Sequence, residues 1–267
     1  MRFVLGALRL LGMLLLLVAG LLTALLVFPW QTQPRRNRII RGWSRLLMAT
    51  CGVRVRVLGE LPDELARTGM LAGSSGRLLL VNHISWIDIF ALDAVLPSRF
   101  VAKAEIGAWP VMGTLVTLAG TLYIERGRRH AVHAMNHRVR DRLRAGESVA
   151  VFPEGTTTDG LALLPFHSNL VAPAMEVGCD VWPVALRYTQ DGRPSQAAAF
   201  IGDTTLVASM WQIVIARRLE VEVAFLAPVP TNSGTHPTRH HVAQAARAAI
   251  AAHLGLEVPP PGQAQAA

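Results

Sequence analysis

Charge is absent from Leu10 to Phe28, about 19 residues, enough for a helix to cross a bilayer. A secretory signal would close such a run at a small-residue cleavage site. Here it meets Phe28-Pro29-Trp30-Gln31, so it reads as a retained anchor. Arg2 and Arg9 precede the run, while Arg35, Arg36, Arg38 and Arg41 follow it. The heavier positive flank after the run favours a body on the cytoplasmic side. Next, Ile39, Ile40, Trp43, Leu46 and Leu47 share one helical face, and Arg38, Arg41 and Arg45 lie largely on another. That pattern fits a cationic helix lying in the headgroup region, and also a surface helix packed on the domain. A membrane span plus linker and a two-helix hairpin sunk in one leaflet both fit residues 1–52.

From about residue 53 the period changes. Short apolar or β-branched runs recur at Val53 to Leu58, Leu78 to Val81, Phe100 to Ala102, Leu122 to Ile124, Val149 to Phe152, Val181 to Leu186 and Val221 to Phe225. Helical patterns separate several of them. In one, Val132, Met135, Val139 and Leu143 step by three or four between arginines 138, 140, 142 and 144. Strands alternating with helices predict an α/β fold, a mostly parallel sheet flanked by helices, preceded by the membrane-associated two-helix segment. Leu206 to Ile215 is apolar enough for a core helix or a second membrane contact. The expected organisation is an anchor and interfacial helix over 1–52, one α/β domain over 53–256 and a disordered tail over 257–267, which begins close to Pro259-Pro260-Pro261.

Charge then narrows the partners. Lys plus Arg number 26 against 18 Asp plus Glu, a net of +8 with a pI near 11.0. Nucleic acid and an anionic membrane both attract such a chain. Hydrophobic residues make up 51% and charged residues only 16%, with little aromatic interleaving, so the membrane is the expected partner and nucleic acid is not. Cys51 and Cys179 are far apart and read as buried thiols rather than a disulfide framework.

Chemistry concentrates in Asn82-His83-Ile84-Ser85-Trp86-Ile87-Asp88, directly after the run ending at Val81. A polar cluster at the end of a buried strand is where open α/β sheets place ligands. Histidine is the usual general base, and an aspartate accepting from one ring nitrogen leaves the other free to take a proton. On a continuous helix a five-residue offset turns the side chains about 140° apart. His83 is therefore expected at or before a helix start with Asp88 inside it, and Ser85 is a candidate N-cap. Further along stand Gly120-Thr121-Leu122-Tyr123-Ile124-Glu125-Arg126, then Phe152-Pro153-Glu154-Gly155-Thr156, then Val181-Trp182-Pro183-Val184-Ala185-Leu186.

Those four blocks, in that order, resemble the glycerolipid acyltransferase family, whose bacterial members include 1-acylglycerol-3-phosphate acyltransferases. The resemblance implies transfer of a fatty-acyl chain from acyl-CoA or acyl carrier protein to the hydroxyl of a lysophospholipid acceptor, forming phosphatidic acid. It implies His83 as the base, Asp88 as its orienting partner, and Lys103, Arg126, Glu154, Gly155 and Thr156 around the acceptor headgroup. Arg126 is suited to grip a phosphate in bidentate fashion, though it stands in a basic run that would also read as solvated surface. Where the family pattern has arginine after Glu-Gly-Thr, this chain has Thr157, as in a branch that includes lyso-ornithine lipid acyltransferases. A non-catalytic lipid-binding adaptor is the rival from another class, and the intact His83/Asp88 pair speaks against it. His130, His133 and His137 recur at helical spacing without nearby Cys, Asp or Glu ligands, so neither a metal nor a bound cofactor is expected.

Overall fold

A computed structural model describes residues 2–70, 75–124, 129–232 and 238–257. In chain order the elements are α1 (Arg2–Leu26), α2 (Gln33–Cys51), β1 (Val53–Leu58), α3 (Asp63–Thr68), β2 (Arg77–Val81), α4 (Asp88–Asp93), β3 (Arg99–Lys103), α5 (Ala104–Gly107), α6 (Met112–Ala119), β4 (Leu122–Ile124), α7 (Arg129–Arg144), β5 (Ser148–Val151), α8 (Ala172–Val177), β6 (Val181–Gln190), β7 (Arg193–Pro194), α9 (Leu206–Ile215), β8 (Leu219–Phe225) and α10 (Arg239–Leu254). The apolar runs read from the sequence are all strands; the short β7 had no such signal.

One sheet has the order β1-β8-β6-β2-β5-β3-β4, with β7 beside β6. Pairing is parallel from β6 through β2, β5 and β3 to β4, and again between β1 and β8. The β6–β8 and β6–β7 pairs are antiparallel, so the sheet is mixed but mostly parallel. Strand side chains alternate between faces, and here each face has its own core. Leu79 and Val81 of β2 pack with α2, α4 and α9, while Leu78 and Leu80 pack with α7, α8 and α10. Cys51 lies buried in the first core and Cys179 in the second, both as free thiols.

The N-terminal pair is built onto the first face. Arg9 Nη1 donates to Val214 O at 2.7 Å and Arg2 Nε to Ile215 O at 3.2 Å, so the two arginines flanking the apolar run satisfy the last carbonyls of α9. Gly52 ends α2 at φ 77, and a Cβ there would run into the Arg9 guanidinium. Helix α2 turns its apolar face inward: Leu47, Met48 and Cys51 are buried, and Trp43 donates from Nε1 to Leu16 O of α1 at 2.9 Å. Of the apolar residues expected at the headgroups, only Leu46 is largely exposed. The uncovered apolar surface is instead that of α1, where Phe3, Leu8, Leu15 and Leu26 are each at least 60% exposed. Helix α1 is long and apolar enough to cross a membrane. The tail beyond residue 257 lies outside the described residues.

Inside the fold, β3 is locked to β5 by a buried ion pair. Arg99 Nε meets Glu147 Oε2 at 2.5 Å, and Nη1 donates to Ala119 O at 2.7 Å. Arg99→Met is expected to cost about 1.5–3 kcal/mol, the worth of a hydrogen bond to a charged group, because the buried Glu147 carboxylate then keeps only the more exposed Arg142 at 3.2 Å. Chemical denaturation of the two proteins checks this, and a midpoint equal to wild type would remove Glu147's dependence on Arg99.

Candidate active site

The site begins where β2 ends. Asn82 donates from Nδ2 to Leu186 O at 3.0 Å and accepts from Leu186 N at 2.7 Å, imitating a backbone pair across to β6. Sheet pairing is thereby closed off and the chain is free to turn at His83. The His83 backbone is clamped on both sides. Its N–H donates to Glu154 Oε1 at 2.8 Å, and its carbonyl accepts from Thr158 N at 2.8 Å. Its imidazole stacks on Phe152, ring centroids 3.8 Å apart and 14° from parallel.

Asp88 opens α4 and is fully buried. Its Oδ2 accepts from His83 Nδ1 at 2.9 Å, Ile84 N at 2.7 Å and Ser85 N at 2.9 Å, and its Oδ1 accepts from Tyr188 OH at 2.7 Å. These donors hold a carboxylate away from water, and the carboxylate fixes the ring. With Nδ1–H directed at Asp88, Nε2 carries the lone pair. The His83 side chain is 18% exposed, so a substrate hydroxyl has a way in. Burial pushes the Tyr188 hydroxyl upward, aided by the Asp88 charge, so it remains a donor at neutral pH.

One expectation is corrected. Ser85 is not the N-cap: α4 begins at Asp88, the flanking Ile87 makes no side-chain cap, and Ser85 Oγ is buried without a hydrogen-bond partner among the described residues. The local capping order is reversed, because an ionised carboxylate is the stronger acceptor and draws the Ile84 and Ser85 amides to itself.

The remaining predicted residues divide. Glu154 joins the site as a brace: its second oxygen accepts from Leu164 N at 2.9 Å, so both oxygens are held by backbone amides. Burial raises its pKa, against those two hydrogen bonds. Arg247 fastens the same loop by donating to the carbonyls of Leu163 at 2.6 Å and Leu164 at 3.0 Å. Gly155 turns the loop at φ 73, a left-handed conformation natural to glycine, and donates to Phe152 O at 3.1 Å. Thr156 is exposed beside it. Lys103 is exposed at the carboxyl end of β3 and makes no ion pair among the described residues. Arg126 lies outside the described residues. Thr157, in place of the family's arginine, donates from Oγ1 to Phe200 O, and Phe200 N donates to Ile84 O at 3.0 Å. The position is thus tied, through Phe200, to the segment that follows His83.

Beside this centre runs an apolar cleft between the N-terminal helices, α4, β3 and α6. Ile40, Trp43, Phe90, Phe100, Ile106 and Leu115 are among its walls. Phe100 stacks on Phe152 at 6.1 Å, which links the cleft to the ring under His83. Asp93 borders it, its carboxyl pushed up to about 8 by burial. His133 and His137 lie exposed on α7, their rings 6.3 Å apart. No group of three His, Cys, Asp or Glu side chains is placed to hold a metal among the described residues.

Sequence reasoning missed Tyr188 and the bracing roles of Asn82 and Phe152. No signal marked Tyr188, which is 100 residues from Asp88.

A family model described as Acyltransferase matches residues 54–187. A lyso-ornithine lipid O-acyltransferase of Pseudomonas aeruginosa is 39% identical over 198 residues, spanning 74% of this chain and 72% of that protein. A 1-acyl-sn-glycerol-3-phosphate acyltransferase of Neisseria meningitidis is 34% identical over 225 residues, spanning 84% and 85%. The crystal structure of a 1-acyl-sn-glycerophosphate acyltransferase from Thermotoga maritima superposes with a TM-score of 0.59 over 94% of this chain and 99% of that one, at 17% identity, a likeness of fold.

Proposed function

The chain belongs to the acyltransferase family, and on that premise we propose that it moves a fatty-acyl group from acyl-CoA or acyl carrier protein to the free hydroxyl of 1-acylglycerol-3-phosphate, forming phosphatidic acid. The observation that carries this reading is the His83–Asp88 pair at 2.9 Å, partly open and beside an apolar cleft. In the reaction His83 Nε2 takes the proton of the acceptor hydroxyl as its oxygen attacks the thioester carbonyl. The imidazolium is balanced by Asp88. The C–S bond then breaks, and the departing thiolate recovers that proton. A thioester needs no protein nucleophile, which agrees with the absence of a Gly-x-Ser-x-Gly elbow. The cleft beside His83 suits an acyl chain, and the exposed side of α1 suits the membrane in which the acceptor resides. The proposed location is the inner membrane, with the site facing the cytoplasm.

Lys103, Arg126 and Thr156 are proposed to face the headgroup, with Glu154 and Gly155 shaping its pocket through the loop they hold. Arg126→Gln is expected to raise the acceptor's KM about ten- to a hundredfold, the loss of a charge-assisted contact worth about 1.5–3 kcal/mol. The donor's KM should change far less, since the headgroup is remote from the thioester. Steady-state kinetics with each substrate varied in turn checks the split.

A second reading, O-acylation of lyso-ornithine lipid, is favoured by Thr157, whose hydroxyl is committed to Phe200 O where an arginine would serve a phosphate. Labelled donor offered to purified protein with both acceptors in competition decides between them. Preferential acylation of 1-acylglycerol-3-phosphate supports the first reading, and preference for lyso-ornithine lipid replaces it with the second. Acylation of neither would overturn both.

A further inference from the structure

The strand that carries Tyr188 continues past the point where the strand before His83 stops. Strand β2 leaves the sheet after Val81, which pairs with Val184 of β6. Asn82 takes the next place through its side chain, opposite Leu186. Strand β6 runs on to Gln190, paired on its other side with β8, where Tyr188 lies opposite Val221. The Tyr188 carbonyl is held as well, accepting from Ser195 N at 2.9 Å. Val184, Leu186 and Tyr188 alternate onto the face of the sheet that carries α4. The phenol is thus set on a fixed strand beside the start of that helix, where Asp88 stands.

A buried hydroxyl needs a partner, and this one has the catalytic carboxylate. Tyr188 is fully buried, and its O–H donates to Asp88 Oδ1 at 2.7 Å. The two carboxylate oxygens are held from different parts of the chain. Oδ2 accepts from His83 Nδ1 and from the amides of Ile84 and Ser85, all within five residues, whereas Oδ1 accepts from β6. A carboxylate gripped at both oxygens cannot turn, so Oδ2 stays toward the imidazole. The phenol also takes up part of the carboxylate's charge. Without it, the full charge would hold a proton on the imidazole more tightly, and His83 would be free to act as base only at higher pH.

Glu154 and Cys51 are the other ionisable groups that face this centre among the described residues. Glu154 stands on the loop after β5, fixed by the His83 and Leu164 amides, with Arg247 of α10 behind it. Cys51 of α2 lies near Tyr188, its thiol pushed up to about 12 by burial and therefore uncharged at neutral pH. A change confined to the phenol hydroxyl alters neither.

We infer that Tyr188, just outside the matched region 54–187, is a positioning residue whose hydroxyl fixes the Asp88 carboxylate and sets the pH range in which His83 serves as base. The inference rests on the acyl-transfer reading.

Two graded changes in the full-length protein in detergent test it. Tyr188→Phe deletes the hydroxyl and keeps the ring, whereas 3-fluorotyrosine makes the phenol a stronger donor. The chain has 2 tyrosines, so fluorotyrosine incorporated into Tyr123→Phe protein alters Tyr188 alone. In Tyr188→Phe the acidic limb of kcat/KM against pH is expected to move up by about half to one pH unit, the scale of one hydrogen bond to an ion. With fluorotyrosine the limb should move down relative to Tyr123→Phe. KM for donor and acceptor should stay within about twofold while kcat falls in Tyr188→Phe, because the buried phenol touches neither substrate. The imidazole titration of His83, assigned by NMR through its loss in His83→Gln, should follow the same two directions with or without turnover. Limbs and titrations unmoved in both proteins would overturn the proposal and leave Tyr188 as packing. Movement in one direction in both would reflect altered ring packing and overturn it too. Should Tyr188→Phe fail to fold, the fluorotyrosine protein still decides. Opposed titration shifts in a protein that acylates no acceptor would keep Tyr188's hold on the pair and sink the acyl-transfer reading.

Discussion

Replacing His83 with alanine is expected to lower acyl transfer by about 10²–10⁴-fold, the usual contribution of a positioned general base. Folding should survive the change. The His83 side chain lies at the rim of the site, 18% exposed, and its backbone contacts to Glu154 and Thr158 do not depend on the ring. Truncation removes the stack on Phe152 and one bond to Asp88 without opening a deep cavity. Single-turnover transfer from a labelled donor measures the chemical step, and a thermal melt measures the fold. Turnover above about one hundredth of wild type, with an unchanged melt, would remove His83 from the role of base.

Asp88→Asn is expected to be nearly as severe, about 10²-fold or more in turnover, for a reason specific to its surroundings. Its Oδ2 takes three donors and its Oδ1 takes the Tyr188 hydroxyl. If the new amide nitrogen faces His83, it meets three donors and forces the ring toward the wrong tautomer. If it faces Tyr188, the hydroxyl turns to accept and the tautomer is kept, but the imidazolium forms without a counter-anion. Either arrangement slows proton transfer. The variant should also lose about 2 kcal/mol of stability, because hydrogen bonds to a charged acceptor are worth about 1.5–3 kcal/mol. Turnover at the wild-type rate would dissolve the dyad, while a large stability loss with full activity would leave Asp88 as a purely structural residue.

Much of this centre was legible along the chain because its parts are local. His83 and Asp88 are five residues apart, and a histidine at a strand end with an aspartate in the next helix places both from two short-range rules. The seven apolar runs became strands for a similar reason. Strands covered on both faces need unbroken apolar stretches, and β2 has Leu78 and Leu80 facing one core with Leu79 and Val81 facing the other. The flanking helix α7 was equally plain, since Met135, Val139 and Leu143 recur at the period of a helix with one buried side.

Contacts between distant segments were not written in any pattern. Tyr188 completes the cradle of Asp88 from 100 residues away, and Glu154 reaches back 71 residues to the His83 amide. Such pairs depend on strand order and register, here β6 beside β2 beside β5, which no period in the sequence records. Ser85 shows the same limit at short range, where a capping preference yields to a carboxylate that tertiary packing has buried against the loop. The N-terminal segment is the clearest case. Its sequence determined that α1 and α2 would be helices with apolar faces, but an apolar face is satisfied equally by lipid and by protein. Only the tertiary structure decided that α2 turns Leu47 and Met48 into the core, that Arg2 and Arg9 close the end of α9, and that the apolar surface left uncovered belongs chiefly to α1.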